Sequence, residues 1–156
     1  MSGENEARMT NPALVLGDAM KGIGSIMKAT RKGGVAEELL ELVALRASQI
    51  NGCSPCVYGH VDRIEKVGGE VRKAFMVSAW RETDLFSEAE RAALALAEAA
   101  TRVADNAPGV TDEVWDAATK HFDEEGMSAL LLSICVTNMF NRINGAISEQ
   151  AGVTWG

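Results

Sequence analysis

Cys53-Ser54-Pro55-Cys56-Val57-Tyr58-Gly59-His60 is the stretch on which the reading of this chain turns. Cys56 follows Cys53 by three residues, and His60 follows Cys56 by four and Cys53 by seven. These offsets bring side chains onto one face of an α-helix. Gly52 ends the helix before it, and Pro55 suits the first turn of the new one, where its missing amide hydrogen has no helical partner anyway. Both thiols then feel the positive end of the helix dipole, worth about 0.3 to 1 kcal/mol for each negative charge held there. The thiolate is the reactive form of cysteine, and a helix N-terminus, a second cysteine or an imidazole each favours it.

Outward from this segment, apolar residues recur at intervals of three and four and strand signals are nearly absent, so the chain reads as all-α with about seven helices. The first spans about Pro12 to Lys32 and stops at Gly33-Gly34; the second covers about Ala36 to Ile50, with Leu39, Leu40, Val43, Ala44 and Ala47 as its buried stripe. A third begins near Ser54 and stops at Gly68-Gly69, and a fourth covers about Glu70 to Arg81. Ser87-Glu88-Ala89-Glu90 is a capping box that opens an alanine-rich helix through about Val103, and Thr111 caps a sixth. The last runs from about Glu124 to Glu149 and sets Asn138, Asn141 and Asn144 on one face against Met139, Phe140 and Ile143. That pattern is expected of a partly buried helix near a subunit contact.

A chain of 156 residues suits one domain, assigned to residues 10–156, behind a polar, frayed start from Met1 to Met9. That start has neither the basic opening nor the apolar core of a secretory signal, and no apolar stretch is long enough to cross a bilayer, so a cytoplasmic protein is expected. A net charge of −7, with 15 scattered basic residues, argues against nucleic acid as a partner. Of the three cysteines, Cys135 lies in the apolar run Leu130 to Val136 and reads as a small buried hydrophobe.

His60 is placed to take the proton of Cys56 or to pair with its thiolate. Glu41 lies twelve residues before Cys53 on the preceding helix. If the two helices pack antiparallel about Asn51-Gly52, Glu41 reaches the His60 side and orients the imidazole. A zinc site needs four ligands, and beyond Cys53, Cys56 and His60 only His121, Cys135 or a carboxylate remain. No second cysteine pair exists, so no metal is assigned.

The stretch Glu41-Leu42-Val43-Ala44-Leu45-Arg46-Ala47-Ser48-Gln49-Ile50-Asn51-Gly52-Cys53-Ser54-Pro55-Cys56-Val57-Tyr58-Gly59-His60 resembles the signature of the alkyl hydroperoxidase D family, part of the carboxymuconolactone decarboxylase superfamily. Further likeness lies at Ala79-Trp80-Arg81-Glu82, from Leu85 to Ala95, and weakly at Asn138-Met139-Phe140-Asn141-Arg142, so it covers about Pro12 to Ala151. The resemblance implies a compact helical bundle that assembles into homotrimers or homohexamers, with the site close to a subunit interface. It implies a thiol-dependent peroxidase with Cys56 peroxidatic, Cys53 resolving, and His60 and Glu41 as the proton relay. A reversible Cys53–Cys56 disulfide, no bound organic cofactor, a peroxide substrate and a dithiol or lipoyl-type reductant follow from it. Some members carry a histidine between the cysteines, where this chain has Pro55. Two other readings stand beside this one. One is a decarboxylase acting on a lactone acid, whose members generally lack the cysteine pair; the other is a non-catalytic helical oligomer whose cysteines sense oxidation or bind metal.

Overall fold

The computed structural model describes residues 6–105 and 107–152, and among them there are helices and no strand. The α-helices are α1 (Pro12–Val15), α2 (Gly17–Thr30), α3 (Glu37–Asn51), α4 (Ser54–Lys66), α5 (Val71–Met76), α6 (Glu88–Thr101), α7 (Asp112–Thr119) and α8 (Glu124–Ile147). Two 3₁₀ turns, Val77–Glu82 and Arg102–Asp105, follow α5 and α6.

From Leu39 to Leu45 every residue of α3 but Glu41 is apolar, and a helix apolar on most sides along such a run has to sit at the centre of a bundle. It does so, packed against α4, α6 and α8, with Leu42, Val43, Leu45 and Ala47 fully buried. Ile64, Leu94, Leu96, Leu130 and Ile134 close the core around it. Among the described residues no helix is long and apolar enough to cross a membrane.

Gly52 supplies the turn between α3 and α4. At φ 68° it occupies the left-handed region, and the N–H groups of Gly52 and Cys53 donate to the carbonyls of Gln49 and Ser48. This closure satisfies the last carbonyls of α3 and sends α4 back antiparallel along it. Farther along the pair, the Glu38 carboxylate accepts from the Glu70 N–H at 2.7 Å.

Three expected helices come out shorter or broken. The first is interrupted at Leu16, where φ −96° and ψ 80° bend α1 so that Ala13 packs with Ile23 and Phe140. The fourth leaves α-geometry at Met76, and Ala79 is non-helical, because Trp80 turns inward and its Nε1–H donates to the buried Glu98 at 3.0 Å. Arg46 and Arg81 also donate to Glu98, at 2.7 and 2.6 Å. The fifth ends at Thr101, before the second 3₁₀ turn.

Cys135 is exposed, contrary to the buried position expected for it. α8 is apolar on both faces, but only one is covered; Leu132, Cys135 and Met139 share the outer face, and all three are open in the single chain. The asparagines of α8 share one face, as their spacing predicts, and it is the inner one toward α3 and α4, where Asn141 and Asn144 are buried. Residues 1–5 of the expected frayed start lie outside the described residues. Arg8 is held on the end of α8, its N–H donating to the Ile147 carbonyl at 2.7 Å and its guanidinium to that of Ala146.

Candidate active site

The antiparallel turn at Gly52 sets the middle of α3 beside the middle of α4, which brings Glu41 to His60. His60 Nδ1–H donates to Glu41 Oε2 at 2.7 Å, and Arg63, one turn further along α4, lies 3.5 Å from the other carboxylate oxygen. Glu41 is only 8% exposed. Burial pushes its carboxyl up, but the hydrogen bond and charge of His60, with Arg63 behind them, outweigh burial and hold it below the ordinary carboxylate range. With Nδ1 facing Glu41, Nε2 is the ring nitrogen left to exchange a proton with a thiol, the arrangement a general base needs.

Cys53 is the N-cap residue of α4 and Cys56 lies in its first turn, both 4% exposed. They are joined in a disulfide with S–S 2.05 Å and Cα atoms 5.3 Å apart. The first amides of an α-helix have no intrahelical acceptor, so α4 presents its positive end to these sulfurs. Glu41 and His60 meet across the middle of the α3–α4 pair, and His60 lies one helical turn beyond Cys56 on α4.

A fifth residue, absent from the sequence reading as a site residue, meets the cysteine pair. Asn144 of α8 is 1% exposed, and its Nδ2 lies 3.3 Å from Cys56 Sγ and 3.9 Å from Cys53 Sγ. The other asparagines of that face tie α8 to the end of α3. Asn141 donates to Ser48 Oγ, and Asn51 donates to the side-chain oxygens of Asn138 and Asn141. The repeat of Asn138, Asn141 and Asn144 at intervals of three on an otherwise apolar helix was the available signal. Nothing in spacing alone says which partner such a face meets.

Among the described residues no group of three or more His, Cys, Asp and Glu side chains could hold a metal ion. His121 and Cys135 do not approach the cysteine pair: the first stacks edge-on to Phe122 beyond α7, and the second lies on the outer face of α8. A groove of about 620 Å³ follows α4, lined by Gln49, Gly52, Ser54, Val57, Tyr58 and Val61 among others, and another hollow lies between α7 and α8; none of the site residues lines either one.

Comparison with known proteins agrees with this architecture. Residues 17–99 match the model of the carboxymuconolactone decarboxylase family. The uncharacterised protein YdfG of Bacillus subtilis is 33% identical over 134 residues, covering 86% of this chain and 90% of its own. A crystal structure of a protein of unknown function from Agrobacterium tumefaciens, provisionally assigned to antioxidant defence as AhpD, superposes with a TM-score of 0.84 at 30% identity, over 96% of this chain and all of that one. The apo debrominase Bmp8 superposes with a TM-score of 0.74 at 25% identity, over 88% of this chain and 73% of its own. The matched span includes both helices that carry Glu41, the cysteine pair and His60, and by sequence and by fold alike the chain belongs to the carboxymuconolactone decarboxylase family, on its AhpD-like side.

Proposed function

We propose that this chain is a thiol-dependent peroxidase and disulfide oxidoreductase in antioxidant defence, with Cys56 as the peroxidatic thiol and Cys53 as the resolving one. The observation that carries the reading is the 2.7 Å bond between His60 and the buried Glu41, one helical turn from a cysteine already paired with its neighbour. An oriented imidazole beside a thiol at a helix start is the arrangement that generates thiolate.

In the cycle, His60 Nε2 takes the proton of Cys56. The thiolate attacks the terminal oxygen of a hydroperoxide, the O–O bond breaks, and the alkoxide leaves with the proton held by His60, giving Cys56 sulfenic acid and an alcohol. The Cys53 sulfur then displaces hydroxide from that sulfenic acid; with the Cys53 proton it departs as water, and the disulfide forms. An external dithiol of lipoyl type reduces the disulfide and is itself oxidised to a cyclic disulfide. The protein supplies sulfur, base and orientation, and needs no bound organic cofactor for these steps. Such a cycle belongs in a reducing compartment, the cytoplasm, and in a homotrimer or homohexamer that covers the apolar outer surface.

The test is peroxide consumption by the full chain with dihydrolipoamide as reductant, one peroxide for each dithiol oxidised. Cys56→Ser is expected to abolish consumption, and Cys53→Ser to accumulate sulfenic acid on Cys56. Undiminished consumption by Cys56→Ser, or oxidation confined to Cys135, refutes the proposal.

A further inference from the structure

We propose that Asn144 is a dedicated hydrogen-bond donor to the Cys56 sulfur, and that its aim is set from the start of the chain by Asn11. This rests on the dithiol chemistry proposed above and assigns that chemistry two further residues: Asn144, which touches a reacting sulfur, and Asn11, which positions it.

The two ends of an asparagine amide are alike in shape, so the partners decide which end faces the cysteines. Here they decide it through a chain that begins at a backbone N–H, a group that can only donate. The N–H of Ala13 donates to Asn11 Oδ1 at 3.0 Å, in the N-cap of α1. Asn11 must therefore turn its Nδ2 outward, and that group donates to Asn144 Oδ1 at 3.2 Å. With its oxygen taken by a donor, Asn144 faces the sulfurs with N–H, nearer to Cys56 at 3.3 Å than to Cys53 at 3.9 Å.

That donor is poorly matched to the oxidised state. A neutral disulfide sulfur is a weak acceptor, whereas a thiolate is a charged one, and hydrogen bonds to charged groups are about twice as strong. Because Asn144 is almost wholly buried, its N–H is best satisfied when the pair is reduced and the charge rests on Cys56. The charged and titratable groups nearby are Glu41 of α3 with His60 and Arg63 of α4. Among the described residues, α8 and the N-terminal segment contribute the amides of Asn144 and Asn11 here, and Asn141 bonds Ser48 of α3. Asn144 thereby selects the leaving sulfur. One thiolate of the reductant attacks Cys53 Sγ, and the S–S electron pair departs to Cys56, where the amide receives it. The reductant's second thiolate then closes its own disulfide and releases Cys53, which takes up a proton.

Two substitutions in a Cys135→Ser background test this, read by peptide-resolved alkylation of the reduced chain across pH. Asn144→Asp keeps the shape and replaces the donor with a carboxylate oxygen. Asn11→Asp keeps the acceptor for the Ala13 N–H, and so the cap of α1, but offers Asn144 only oxygen; the Asn144 amide is then expected to reverse and turn its own oxygen on Cys56. Both variants are expected to move the Cys56 alkylation midpoint up by about one pH unit or more, a tenfold loss of thiolate near neutrality, with Cys53 little changed. A wild-type midpoint in either variant, or an equal shift at both cysteines, overturns the inference. The titration uses no peroxide, so its outcome is independent of the peroxidase assay. Shifted midpoints in a chain that consumes no peroxide would sink the proposed function alone, and unshifted ones in an active peroxidase would sink this inference alone.

Discussion

Glu41→Gln is the sharpest perturbation of the relay. Glutamine has the shape of glutamate and can still accept the His60 Nδ1–H across the 2.7 Å gap, so the fold and ring orientation are expected to survive. What goes is the charge. A hydrogen bond to a charged group contributes about 1.5–3 kcal/mol, against about 1 kcal/mol for a neutral one, so the substitution removes about 0.5–2 kcal/mol at the moment His60 takes up a proton. At 1.36 kcal/mol per decade that is about a 2- to 30-fold loss in rate. Arg63, 3.5 Å from Glu41 in the native site, would be left without its carboxylate beside a protonated His60, which places the expected effect toward the upper figure. The assay is the rate of Cys56 alkylation in the reduced chain from about pH 5 to 9, resolved by peptide because the exposed Cys135 also alkylates. A thermal melt run in parallel shows whether the fold is unchanged. Profiles that superimpose on wild type would refute the reasoning and make Glu41 a structural carboxylate only.

Glu41 and Glu98 are both held below the ordinary carboxylate value of 4.5, so their contribution to stability is present above that value and lost as pH falls through the depressed ones. An acid titration of thermal stability should show this loss below about pH 4.5, and a stability flat down to pH 2 would contradict it. Glu98→Gln leaves Arg46 and Arg81 without their shared counter-charge and should cost about 3 kcal/mol in urea unfolding, the low end for a buried pair because Arg81 is half exposed. Gly33→Ala puts a Cβ 2.6 Å from that of Ala129 and 2.8 Å from the Glu125 carbonyl, where α8 presses on the turn before α3; a melting point lowered by several degrees is expected, and an unchanged one would disprove the contact. Leu14, Val15, Leu16 and Phe75 are all more than half exposed in the single chain, so light scattering at micromolar concentration should give a multiple of 16.6 kDa, and the monomer mass would refute assembly.

The all-helical class, the boundaries of α3 and the start of α4 were legible in the residues because they depend on local physics. Apolar spacing, the left-handed Gly52, Pro55 in a first turn and the capping box at Ser87 each act within a few residues of themselves. The approach of Glu41 to His60 was legible for the same reason, since two helices joined by so short a turn have little choice but to lie antiparallel. Whatever depended on the other side of an interface was not. The α5 helix was cut short by Trp80 reaching for Glu98, 18 residues away, and Cys135 came out on the open face of α8 although its neighbours in sequence are apolar. Asn144 was visible as one of a row of asparagines, yet only the docking of α8 on α3 and α4 brought it to a cysteine 88 residues earlier in the chain. Periodicity tells which residues share a face of a helix, whereas the partner of that face is decided by how the whole set of helices buries its apolar surface at once.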